Sequence, residues 1–200
     1  ADIAHKLSYT GFVVERPAAA DPLADRDDGE ILVSAGGGAV GFPLLAAAIR
    51  AKKLARPRHR RWRIVTGTNP PAGGGAQLGK LAAGDPDIAI EGFRGDFARL
   101  LATCHLSISQ GGYNTVMELI ATRCPSVVVP FAEGGESEQT MRARMLAERA
   151  VLSMVDPESL TAGTLAAAID GVRPPAELAL NLDGARQSAT QLIEAWKLRR

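Results

Sequence analysis

Two glycine-rich turns and one carboxylate carry the chemistry that can be read from this chain. Gly36-Gly37-Gly38 directly follows an apolar run and precedes a helix-period stretch. Glycines at such a corner let the backbone approach a phosphate, and the helix amino end offers free N–H groups with partial positive charge. The spacing is not GxGxxG. Where an acidic residue would be expected about 20 positions on, the chain has Lys52, Lys53 and Arg56. A tight strand-to-helix turn with no ligand is the competing reading. Gly111-Gly112-Tyr113-Asn114-Thr115 repeats the pattern, with Asn114 or Thr115 able to cap the helix or bond a ligand oxygen. Glu118 lies one turn after Asn114, near the same helix end. A carboxylate there suits a vicinal diol, because it accepts two hydroxyl hydrogens at once; a solvated or capping glutamate is the alternative. Two glycine turns in one sheet cradle a diphosphate better than one. Further on, Glu133-Gly134-Gly135-Glu136-Ser137-Glu138-Gln139 offers Glu138 and Gln139 to sugar hydroxyls, or simply opens a capped helix.

Other chemistries lack a warrant. His5, His59 and His105 are too scattered for a metal site, and no metal is expected; His105 opens a strand and reads as packing. No Ser/His/Asp arrangement, HExxH or GxxxxGK[ST] is present. Cys104 and Cys124 read as reduced, buried packing residues, which fits a cytosolic compartment. Aromatics are 4% of the chain, too few for a platform that stacks single-stranded nucleic acid, and the net charge of +1 gives no global field toward DNA. The run from Lys52 to Arg63 is dense in Lys and Arg. It reads either as a contact to an anionic membrane or phosphorylated acceptor, or as a solvated helix end neutralised by the acidic 21–30 stretch. No apolar run approaches the roughly 18 residues of a membrane span, and no signal-peptide pattern opens the chain. The absent starting Met raises the expectation of a piece cut from a longer polypeptide.

The elements that must position these residues alternate. Apolar or β-branched runs at 30–35, 61–66, 88–90, 105–109, 126–130 and 151–155 read as strands. Helical stretches are expected at 42–54, 76–83, 96–103, 114–122, 137–149, 159–169 and 177–197, with Asp96 capping the third. Strand–helix alternation at this spacing implies βαβ units, hence an α/β, doubly wound, mostly parallel six-stranded Rossmann-like sheet. Ligands on that architecture sit outside the carboxyl ends of the strands, where the glycine clusters fall. The chain divides into a linker or edge segment at 1–29, a Rossmann-like domain at 30–172 and a C-terminal helical segment at 173–200.

Ser109-Gln110-Gly111-Gly112-Tyr113-Asn114-Thr115-Val116-Met117-Glu118-Leu119 resembles the donor-binding motif of family 28 glycosyltransferases. Cys124-Pro125-Ser126-Val127-Val128-Val129-Pro130-Phe131 and Glu138-Gln139-Thr140-Met141-Arg142-Ala143 continue the likeness, which covers about residues 8–170 and is strongest over 105–150. It implies the C-terminal half of a two-domain GT-B enzyme. By this resemblance Gly111 and Gly112 form the phosphate turn, Thr115 lies near the diphosphate and Glu118 holds the ribose. Phe93 and Arg94 match the loop whose backbone reads uracil. Gly36 to Gly38 match the first-strand loop, with Gly37 where a hydroxyl residue is often found. Glu138 and Gln139 match a sugar-contacting glutamine pair, the first position being acidic here.

The resemblance further implies a UDP-sugar donor, a hexosyl or N-acetylhexosaminyl group transferred to an acceptor hydroxyl, and no cofactor. The general base would come from an N-terminal acceptor-binding domain in the same or a partner chain. This chain alone would then transfer poorly or not at all, and its closing helix would pack on the missing domain. A cytoplasmic location is expected, with peripheral contact at the inner face of the membrane. A nicotinamide-dependent oxidoreductase and a GT-B nucleotide-sugar 2-epimerase are the competing classes.

Overall fold

Six short strands set the frame of a computed structural model that describes residues 3, 6–15, 26–36, 39–132 and 137–197. They are β1 (Ile31–Ser34), β2 (Trp62–Val65), β3 (Ile88–Glu91), β4 (Leu106–Ser109), β5 (Ser126–Val128) and β6 (Ser153–Met154). All neighbours pair in parallel, in the order β3-β2-β1-β4-β5-β6. The expected strands are therefore all present, and the sheet is wholly parallel.

Parallel strands need crossovers, and helices supply them on both faces. Side chains alternate accordingly. Ile31, Val33, Trp62, Ile64, Leu106, Ile108 and Val127 point to one face, beneath α1 (Phe42–Lys52), α2 (Gly74–Ala82) and α6 (Ala162–Gly171). Leu32, Val65 and Val128 point to the other, with Leu101 of α3 (Phe97–Thr103), Val116 and Leu119 of α4 (Tyr113–Thr122), and Leu146 of α5 (Glu138–Glu148). Both faces are covered, which is why the strands read as unbroken apolar runs.

The chain winds outward from β1 through β2 to β3, then returns to place β4 on the other side of β1. The β1/β4 junction is thus the topological switch point, where neighbouring loops leave in opposite directions and open a crevice. Ser34 and Ser109 are register partners at the carboxyl end of this junction.

Two local expectations are corrected. The closing helix, α7 (Gly184–Lys197), does not start at 177. Residues 172–182 are not helical, because Phe12 N–H donates to the Asn181 carbonyl at 2.8 Å and Val13 bridges Asp183 in antiparallel fashion. The described part of the opening segment is therefore tied to the closing one. The contact is tight: a Cβ on Gly184 would lie 2.6 Å from the Gly11 carbonyl oxygen. Asp96 occupies the N-cap position of α3 but makes no side-chain cap bond; its carboxylate is taken by Arg94. His105 follows the packing expectation, its ring meeting the Arg26 carbonyl at 3.1 Å, and burial lowers its pKa. Cys104 and Cys124 are free, buried thiols with their sulfurs 3.3 Å apart.

Candidate nucleotide-binding site

The switch point brings the two glycine corners together. Gly36 adopts φ +67°, a left-handed conformation that favours glycine, and a Cβ there would sit 4.0 Å from Gln110 Oε1 on the neighbouring corner. Gly37 and Gly38 lie outside the described residues, as do Glu133 to Glu136. Across the junction, α4 starts at Tyr113 with Gly112 as N-cap and no side-chain cap bond. Neither Asn114 nor Thr115 caps the helix, contrary to one of the two roles expected of them. The first N–H groups of α4 thus face the crevice end without a side-chain partner.

Beside these corners lies a cavity of about 310 Å³, lined by Gly36, Phe93, Arg94, Thr115 and Glu118 among others. Residues predicted from three separate parts of the sequence share this one space. Its wall includes residues that motif spacing did not single out: Glu15 from the opening segment, Ser34 at the end of β1, and Thr68 after β2. Ser34 and Thr68 follow strands that were legible, so strand-end position was the available signal; nothing in the spacing pointed to Glu15.

Glu118 is half-buried, and among the described residues its carboxylate has no hydrogen-bond or ion-pair partner. Burial pushes its pKa up, and the like charge of Glu15 adds to the rise. Arg94 is differently placed. Its Nε and Nη2 donate to Asp96 at 2.8 and 2.9 Å, and its Nη1 to Glu91 at 2.8 Å. The guanidinium is therefore already committed, and what the loop offers a ligand is backbone and the Phe93 ring, 68% exposed.

Glu138 and Gln139 do not line this cavity. Glu138 pairs with Arg142, which donates to the Gly111 carbonyl at 2.9 Å and stacks over Tyr113 at 5.6 Å. Gln139 accepts the Phe131 N–H at 3.2 Å and packs beside Gly111. Both stand next to the second glycine corner, on its β5 side. The basic run maps to the opposite pole of the sheet, where Arg60 donates to the Gly29 carbonyl at 3.1 Å and Arg56 pairs with Asp170 at 3.5 Å.

Gly112 separates a bare turn from a ligand turn. A Cβ there would meet nothing within 4 Å, and φ −57°, ψ 144° suits any residue. Gly112→Ala should leave the chain as stable or up to ~1 kcal/mol more stable, because the unfolded state loses freedom. If a diphosphate seats against this backbone, the methyl should still weaken UDP binding by roughly ten-fold. Thermal melts with and without UDP check both parts; undiminished affinity would place the diphosphate elsewhere.

Comparison with known proteins bears on the family and the fold. The family model described as "Glycosyltransferase family 28 C-terminal domain" matches residues 32–195. The UDP-N-acetylglucosamine--N-acetylmuramyl-(pentapeptide) pyrophosphoryl-undecaprenol N-acetylglucosamine transferase of Paramagnetospirillum magneticum is 29% identical over 180 residues, 85% of this chain and 47% of that protein. The protein of the same name from Syntrophotalea carbinolica is 29% identical over 163 residues, 80% of this chain and 44% of its own length. This chain thus spans about half the length of the curated relatives it matches. Among solved structures, MurG of Acinetobacter baumannii superposes with a TM-score of 0.57 at 21% identity, covering 73% of this chain and 41% of that one. The glycotransferase of kitacinnamycin gives 0.57 at 18%, covering 93% and 44%. At these identities the structures establish the shared fold. With most of its length matched by the family model, the chain belongs to the glycosyltransferase family 28 C-terminal domain family.

Proposed function

We propose that this chain is the donor-binding half of a glycosyltransferase that moves a hexosyl or N-acetylhexosaminyl group from a UDP-sugar to an acceptor hydroxyl. The observation that carries the reading is one cavity at the switch point, in which Gly36, Phe93, Thr115 and Glu118 converge. Glu118 would accept both ribose hydroxyls, and the backbone beside Phe93 and Arg94 would meet the base. Gly36, Gly111, Gly112 and the amino end of α4 would face the diphosphate. Oriented amides at that point stabilise the charge that develops on the departing diphosphate, a role that calls on no cofactor. Glu138, Gln139 and Asn114, grouped around the second corner, would border the sugar.

The curated relatives are about twice as long as this chain, which supports a partner: an N-terminal acceptor-binding domain, in the same or another chain, that supplies the general base. The last helix fits such a partner. Leu192, Ile193 and Trp196 on α7 are 71%, 52% and 55% exposed, an apolar stripe at helical spacing. Names of the curated relatives include an undecaprenol-linked substrate, so we place the chain in the cytoplasm with peripheral contact at the inner membrane face. The exposed Lys53, Leu54, Arg58 and Arg61 form the surface suited to that contact.

UDP should raise the melting temperature, since a ligand at about 100 times its Kd adds ~2.7 kcal/mol to the folded state. ADP should do less and NADH nothing. No shift with any nucleotide at millimolar concentration would overturn the reading; a shift with NADH alone would favour an oxidoreductase.

A further inference from the structure

The loop that forms the base-facing wall of the cavity has almost no apolar support. A Cβ on Gly92 would meet nothing within 4 Å, a Cβ on Gly95 would meet only the edge of Phe93 at 3.9 Å, and Phe93 is itself exposed. Something other than packing must hold residues 92–96 in one shape.

A chain of alternating charges does so. Asp96 takes two bonds from Arg94, and Arg94 gives its third to one oxygen of Glu91. The other Glu91 oxygen accepts from Arg63 of β2, whose Nε donates to Glu30 ahead of β1. These groups are only 15–42% exposed, so solvent weakens their coupling less than at an open surface. Glu91 is the centre of the chain. Its backbone carbonyl also accepts the Thr66 N–H at 2.9 Å and the Thr66 hydroxyl at 3.1 Å, just before Gly67 and Thr68 of the cavity wall. One residue therefore ties the loop after β3 to β2, and through Arg63 to β1.

We infer that Glu91 is a positioning residue for nucleobase selection, acting through Arg94 to hold the Phe93–Arg94 loop in the shape that meets the base. The inference rests on the nucleotide-binding reading above. Glu91 does not line the cavity. It preorganises the backbone that does, so its loss shows as weaker and less selective binding, because the ligand must then order the loop itself.

The test compares UDP and ADP by calorimetric titration of the whole chain. Glu91→Gln keeps the shape but removes the charge that holds both arginines. It should weaken UDP about ten-fold and shrink the preference for UDP over ADP by a similar factor. Arg94→Met is the second variant. It leaves Glu30, Arg63 and Glu91 paired, removes only the strut to the loop, and should give the same loss of preference. An unchanged UDP-to-ADP ratio in a folded variant overturns the inference, even if both affinities fall together as from general loosening. Absence of UDP binding in the unaltered chain is a different result, which overturns the nucleotide-binding reading and this inference with it.

Discussion

Glu118→Gln is expected to weaken UDP binding on the order of 100-fold at neutral pH while leaving the free chain as stable as before, or more so. The two effects have opposite signs for one reason. Glu118 is a half-buried carboxylate without a protein partner among the described residues, so ionising it in the empty site is unfavourable. Its folded pKa is raised, by burial first and by Glu15 second. A carboxyl with a raised folded pKa contributes stability below its unfolded value, and that contribution is lost as pH rises through the folded value. Above the folded value it is gone, and there a neutral glutamine avoids the penalty. Binding runs the other way. Two ribose hydroxyls donating to a charged acceptor contribute a net ~1.5–3 kcal/mol each, and the lower end, a total near ~3 kcal/mol, corresponds to roughly 100-fold. Only the ionised form offers both oxygens purely as acceptors for the two hydroxyl hydrogens. UDP affinity should therefore fall as pH is lowered through the folded value of Glu118, which burial holds above the ordinary glutamate value of 4.5. Titration calorimetry at neutral and mildly acid pH checks both claims. An unchanged Kd in the glutamine variant would remove Glu118 from the site.

Much of this was legible because a parallel sheet covered on both faces leaves a plain signature. Ser126 to Pro130 reads as a strand since Val127 and Val128 face opposite cores and both must be apolar. Gly111 and Glu118 could be joined because one helix sets their spacing. Joining Gly36 to Gly111 needed the strand order, and only the doubly wound topology supplies it. What stayed hidden depended on contacts between distant segments. Glu177 to Leu180 has helix-forming residues, yet their neighbours are held by the opening segment through Phe12 and Val13. Glu15 enters the cavity by that same docking. Arg94 falls on the expected loop, but that its guanidinium is spent on Asp96 and Glu91 follows from side-chain geometry that no spacing encodes.

The largest effect on stability should come from a pair outside the site. Lys52, at the end of α1, is 4% exposed, and its ammonium donates to both oxygens of Asp85 at 2.9 and 2.8 Å. Removing the acid leaves a buried cation unpaired, so Asp85→Asn should cost about 3 kcal/mol in a urea titration. Removing the cation is a different matter. Asp85 is 24% exposed and accepts the Asp87 N–H at 3.0 Å, so it stays solvated and bonded when Lys52 is gone. Lys52→Met, which keeps the aliphatic stem against the core, should be close to neutral. The pair also fixes an acid response. Lys52 chiefly holds the Asp85 pKa below its ordinary 3.8. A depressed carboxyl contributes stability above its unfolded value, and the contribution is lost as pH falls through the folded value. The unaltered chain should therefore lose stability below about pH 4 more steeply than Lys52→Met does. Equal costs for the two substitutions would mean that the ammonium reaches water and that the pair behaves as a surface contact.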